Sequence, residues 1–199
     1  MASENNKVRF GASHVMYALY DEDQKKYGAW KPMAGAVQLQ FEPQGSQSIF
    51  YADNVGYYTA SPNSSDTGSI EIADMTEQAK IDLLGYIKDS TSGLTIEPST
   101  AKHSPFAIGY QVEGDGNTLR GAKYNCTLNR PSQTHRTMTD STDPDTLTLD
   151  YTCIGRDFDI DGETVNVLGG FCTDGGEDHV AFDNFFKGVI VPGKTSVAG

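Results

Sequence analysis

Basic residues are scarce in this chain of 199. Lys and Arg number 15 against 27 Asp and Glu, a formal charge of −12. Grips on nucleic acid and on anionic membrane surfaces are built from Lys and Arg, so the balance argues against both. Long apolar runs are missing too, and nothing approaches the roughly 20 apolar residues of a membrane-crossing helix. Cysteine is limited to Cys126, Cys153 and Cys172, an odd number with no C-x-x-C pair, which predicts three reduced thiols. Met1-Ala2-Ser3-Glu4-Asn5-Asn6-Lys7 has no apolar run behind a basic start, so the expectation is a chain made in the cytoplasm.

What is present reads as β-structure. Val15 to Tyr20 is a β-prone run, and Asp21 to Lys26 a charged hairpin tip. Val37 to Glu42 alternates apolar and polar, and Pro43 is expected to stop it. Ser69 to Ala73 alternates again. Phe106 to Val112 and Gly121 to Leu128 flank a Gly-Asp-Gly-Asn turn and predict a hairpin. Thr146 to Ile154 is the longest alternating run. It places Leu147, Leu149, Tyr151 and Cys153 toward a core and Thr146, Thr148, Asp150 and Thr152 away from it.

One segment has a helical period. Asp74 and Glu77 resemble a capping box, and Ala79, Leu83, Leu84 and Ile87 share one face, so a single helix over about 76–88 is expected. Gly85 within it should cost about 1 kcal/mol relative to Ala. Gln44 to Thr67 and Arg130 to Pro144 read as polar excursions. After Gly155, Asp157 to Gly162 suggests a hairpin arm, and Phe185 to Pro192 a terminal strand. The fold class expected is an antiparallel β-sandwich or half-barrel with one flanking helix, a single domain over 1–199.

Chemical motifs fail on spacing. Asp157, Asp159, Asp161 and Gly162 begin like a calcium loop, but its twelfth position is Leu168 rather than Glu. Cys172, Asp174, Glu177, Asp178 and His179 match no zinc spacing, so no metal is expected. Gly114-Asp115-Gly116 sits between two strands and lacks the helix a nucleotide loop needs. Ser13 and His14 are neighbours, which on a regular strand point to opposite faces and cannot pair as nucleophile and base. No cofactor is implied, and an enzyme is not expected. Tyr51, Tyr57 and Tyr58 in the first excursion, with Trp30, could anchor an interface, pack their own loop, or stack on sugars.

The order of segments resembles the major tail protein, or tail tube protein, of long-tailed bacteriophages of the siphophage type. The carriers are Lys7-Val8-Arg9-Phe10-Gly11 with His14 to Ala18, Pro32 to Val37 leading into Leu39 and Phe41, and Phe50 to Asn54 with Tyr57-Tyr58. Gly68 to Ala73 then runs into the helix ending at Leu84-Gly85, and Tyr124 to Thr127 precedes Asn129 to Ser132. The likeness covers roughly 7–156; residues 157–199 carry less of it and read as a C-terminal extension or arm.

The resemblance implies a virion protein, made in the host cytoplasm, whose rings, usually of six, stack into a hollow tube for DNA ejection. It implies partners of its own kind, and the tape-measure, baseplate or distal tail, and tail terminator proteins, with DNA as non-binding cargo. On this reading Tyr51, Asp53, Tyr57 and Tyr58 contact a neighbouring subunit, and Glu42, Glu71 and Asp150 line an acidic lumen. The alternative is a soluble β-sandwich carbohydrate-binding module.

Overall fold

The computed structural model describes residues 8–45, 48–52, 55–60, 65–115, 118–135, 137, 145–174 and 179–193. Its elements run β1 (Arg9–Asp21), β2 (Lys26–Tyr27), β3 (Lys31–Pro32), β4 (Ala36–Gln44), β5 (Ser48–Ala52), β6 (Val55–Ala60) and β7 (Ser65–Ile72). Then come α1 (Glu77–Leu84), β8 (Ile87–Lys88), β9 (Thr95–Ile96), β10 (Phe106–Gly114), β11 (Leu119–Leu128) and β12 (Leu147–Ile154). The chain closes with β13 (Arg156–Ile160), β14 (Glu163–Val167), β15 (Gly169–Thr173) and α2 (His179–Asn184).

The fold is mainly β. Nine strands form one antiparallel sheet in the order β2-β1-β10-β11-β12-β7-β4, with β15 added to β11 and β3 to β1. β1 and β4 lie toward opposite ends of this order yet touch, so the sheet curls into a half-barrel. Its concave face holds the first core. Tyr17, Ile70, Phe106, Ile108, Leu149 and Tyr151 are fully enclosed there, and α1 covers them with Ala79, Leu83 and Leu84. The alternation expected along β12 holds: Leu147, Leu149, Tyr151 and Cys153 are buried, and Thr148 and Asp150 are exposed. Apolar residues at every second position are what a sheet with one dry face requires. The expected hairpin is β10 and β11.

β4 runs through Pro43 rather than stopping there. Among the described residues its only sheet neighbour is β7, and an edge strand tolerates a missing N–H. A register shift between Ala36 and Gln38 turns Val37 outward, so only Leu39 and Phe41 of the expected apolar face pack on the core.

The helix is shorter than the 76–88 expected. Thr76 caps it, its hydroxyl accepting the Ala79 amide at 3.2 Å, while Asp74 accepts the Met75 amide instead. Gly85 is not inside it. It ends the helix in the left-handed conformation, φ 71°, where a Cβ would also lie 2.5 Å from the Lys102 carbonyl oxygen. Ile87 therefore belongs to β8 and is exposed.

Residues beyond Gly155 build a second core on the convex face of β1, β10 and β11, where the sheet presents small residues, Ala18, Ala107 and Ala122. Phe158, Phe185, Val189 and Val191 cover them. The hairpin arm forms as β13 and β14 about Asp161-Gly162. Phe185 to Pro192 forms no continuous strand: Phe185–Lys187 is a turn, Val189 makes an isolated β-bridge, and Val189 and Val191 are buried. α2 is a second helix that the single-helix expectation lacks. Three polar contacts fix this segment: Trp30 Nε1 donates to the Phe185 carbonyl at 2.9 Å, Tyr124 Oη to Ile190 at 2.7 Å, and Arg120 Nη1 to Phe182 at 2.5 Å.

The cysteines correct a further expectation. Cys126 and Cys153 are joined as a disulfide, and Cys172 alone is a free thiol. The pair stands directly cross-strand between β11 and β12, with both residues wholly enclosed.

Candidate functional site

β4, β7 and β12 contain no Lys or Arg. Their concave-facing residues make core, and by alternation the other face is polar except for the exposed Ile154 at the end of β12 and the outward-turned Val37 at the start of β4. The register aligns it in rows across the three strands. Gln38, Glu71 and Thr148 form one row, Gln40, Ser69 and Asp150 the next, and Glu42, Thr67 and Thr152 the third. Each row holds one carboxylate, on a different strand each time. Glu42, Glu71 and Asp150, the three acids expected to line a lumen, therefore share one sheet face. Strand and residue spacing puts Asp150 about 8 Å from Glu71 at the backbone, close to the Debye length at physiological salt.

Neutral side chains donate to Glu42 and Glu71 and bond one another beside them. Gln40 Nε2 donates to Glu42 Oε1 at 2.6 Å, Thr146 Oγ1 to Glu71 Oε1 at 2.7 Å, and Gln44 Nε2 to Thr67 Oγ1 at 2.8 Å. A shallow hollow of about 290 Å³ lies between Glu42 and Asp150. Sequence reasoning missed the companions of the acids, Gln38, Gln40, Ser69 and Thr67. The signal was there in the strict alternation, but the rows depend on which strands are neighbours. The one acid of these strands that faces the other way, Asp66, is buried and contacts Lys123 Nζ on β11.

Within the first excursion, Ser48–Ala52 and Val55–Ala60 pair as a β-hairpin. β5 pairs with β6 from Ser48↔Ala60 to Ala52↔Val55, continuing the β4–β7 register, which ends at Gln44↔Ser65, with an offset of one residue. Tyr51 lies on β5 and Tyr57 and Tyr58 on β6, while Asp53 lies outside the described residues.

Ser13 and His14 depart from the alternation expected of them. His14 has φ 49°, inside an irregular stretch of the β1–β10 register, and its Nδ1 comes within 3.2 Å of Ser13 Oγ. The arrangement is not a nucleophile-base-acid chain. Ser13 Oγ donates to Glu113 Oε1 at 2.6 Å, so the serine stands between acid and imidazole. Hydrogen bonds from Ser13 and Gln111 hold the Glu113 carboxyl below its ordinary range, which makes it a poor base.

Trp30 offers no open platform. Its indole stacks on Phe185 with ring centroids 6.3 Å apart and packs against Gly109, where a Cβ would meet it at 2.8 Å. A recess of about 820 Å³ between the β1–β2 turn and the β13–β14 hairpin is lined by Lys25, Lys26 and Arg156 and equally by Asp157, Asp159 and Asp161, so its charges balance. Among the described residues no three His, Cys, Asp or Glu side chains are grouped to hold a metal; Glu177 and Asp178 lie outside them. Compared with known proteins, the chain matches no family model and no curated protein.

Proposed function

We propose that the chain is a structural virion protein that assembles into stacked rings, six subunits to a ring, forming the tail tube through which phage DNA passes. The observation that carries this reading is the cation-free polar face of β4, β7 and β12. A wall for passing DNA must repel phosphate without offering it a partner, and carboxylates set among amides and hydroxyls do so. A ring concentrates this effect, because the same face repeats around one axis.

Ring closure needs a heterologous contact, which the outer edge of β4 supplies by extending the sheet into the next subunit. The β5–β6 hairpin is the segment that reaches a neighbouring ring, through Tyr51, Tyr57, Tyr58 and Asp53. The tape-measure, distal tail and terminator proteins are the expected partners inside and at the ends of the tube. The second reading, a carbohydrate-binding module, would rely on Trp30, and that indole is occupied by Phe185.

Electron microscopy of the concentrated protein tests the proposal. Rings or hollow tubes are the expected result, and particles that remain at 21.5 kDa under every assembly condition overturn it.

A further inference from the structure

The acidic face is attached to the rest of the sheet by a narrow seam. β12 pairs with β7 along its whole length, from Leu147↔Ile72 to Ile154↔Ser65. With β11 it pairs only over Tyr151–Cys153 against Cys126–Leu128. At Asn125, φ 52°, β11 turns away from β12; the Tyr124 amide bonds to the Leu168 carbonyl, and β15 then takes over the same edge from Lys123 to Leu119. The Cys126–Cys153 bond occupies the seam at this fork.

We infer that the disulfide is a redox lock on this seam: the chain folds with the two cysteines as thiols, and oxidation closes β12 onto β11 without changing the fold. The strands already hold the two residues in register, so oxidation needs no rearrangement of the sheet. Both sulfurs are enclosed, so an oxidant reaches them only when the seam opens.

The step is thiol–disulfide exchange with a small-molecule disulfide. One cysteine thiolate attacks a sulfur of that disulfide, whose S–S bond breaks and releases one thiol. The second cysteine thiolate then attacks the mixed disulfide, forms the Sγ–Sγ bond and releases the other thiol. Two electrons pass from the cysteines to the small disulfide, and their two protons end on the departing thiols. Cys172 stays outside the exchange: its Sγ contacts the Arg120 carbonyl at 3.8 Å, and burial pushes its thiol up, away from the reactive thiolate.

Hydrogen exchange on the whole chain, thiol form against disulfide form, tests the lock, with oxidised glutathione as the oxidant. In the thiol form, amides of 126–128 and 151–153 should exchange well ahead of Ile108 and Ile70. In the disulfide form the two sets should converge, the seam slowing by roughly a hundredfold. Folded thiol protein should become two hydrogens lighter at the rate of seam opening. The double variant Cys126→Ala/Cys153→Ala should exchange like the thiol form. A thiol form that is unfolded, a seam already as slow as Ile108 without the bond, or folded protein that oxidised glutathione never converts would each overturn the inference.

Discussion

The Tyr151 hydroxyl reaches over the strand beside its own and donates to the Gln40 carbonyl at 2.6 Å. Tyr151 is on β12 and Gln40 on β4, and the strand crossed is β7 at Gly68. A Cβ on Gly68 would lie 2.4 Å from the hydroxyl oxygen and 2.1 Å from the carbonyl oxygen it bonds. Gly68→Ala should therefore force the ring aside and lower stability by about 1–3 kcal/mol. Tyr151→Phe, which removes only the hydrogen bond, should cost about 1 kcal/mol. Urea unfolding of both variants checks the order, and an alanine as mild as the phenylalanine would refute the crossing.

Asp82 on α1 ties the helix to the sheet. Its carboxylate accepts from Lys31 Nζ at 2.6 Å, Gln78 Nε2 at 2.8 Å and Tyr17 Oη at 2.9 Å. Burial pushes the carboxyl up, but the bonds from Lys31, Gln78 and Tyr17 outweigh it and hold the group below its ordinary value. A carboxylate depressed in the folded state adds stability above its unfolded pKa of about 4, and this is lost as pH falls through the lower folded value. Asp82→Asn should cost about 1–3 kcal/mol at neutral pH, and its gap to wild type should narrow below about pH 4. Unfolding free energies at several pH values decide it; a gap independent of pH would contradict the assignment.

The contact between Asp66 and Lys123 is enclosed, with side-chain exposures of 4% and 21%. Asp66→Asn or Lys123→Met alone should destabilise by about 3–5 kcal/mol, because each leaves a charge without its partner. Asp66→Leu with Lys123→Met should recover most of the loss. Calorimetry of the three variants is the check, and simple additivity would count against the pairing.

Glu42, Glu71 and Asp150 stand on a polar sheet face, so replacing all three with Lys should leave the monomer fold intact. It should also give duplex DNA a surface to hold, with an affinity that falls steeply as salt is raised. A filter-binding titration at two salt concentrations measures it. A triple variant that holds duplex DNA no more tightly than the unaltered chain would argue that the face is not the wall of a conduit.

Tyr51→Ala with Tyr57→Ala should shorten or abolish tubes while leaving circular dichroism and melting temperature as they are. Negative-stain length distributions check this, and unchanged tubes would remove the β5–β6 hairpin from the ring-to-ring contact.

The parts of the fold legible in the sequence were those written in local period. β12 alternates because one of its faces is dry, and the β10–β11 hairpin is marked by its turn. The acids on β4, β7 and β12 were legible as polar-face residues for the same reason. Their sharing of one surface was not, since it depends on β7 lying between two strands distant in sequence. The disulfide escaped because its cysteines stand 27 positions apart and only the β11–β12 register brings them opposite. The Ser13–His14 contact escaped because a single positive φ at His14 overrides the strand's period. Gly85 was misplaced because a helical face continues past it to Ile87, and the left-handed turn that ends the helix leaves no periodic trace. The second core was hidden because Ala18, Ala107 and Ala122, which carry no strong apolar signal, form much of its floor beside Tyr27 and Tyr124.

Trp30 is the single tryptophan of the chain, and it sits against Phe185 at the rim of the second core. Its fluorescence is thus a built-in optical gauge of whether the carboxy-terminal wrap is docked, and it leaves the concave core unreported. Emission that shifts red before far-ultraviolet ellipticity is lost would mark the wrap peeling away while the half-barrel stands.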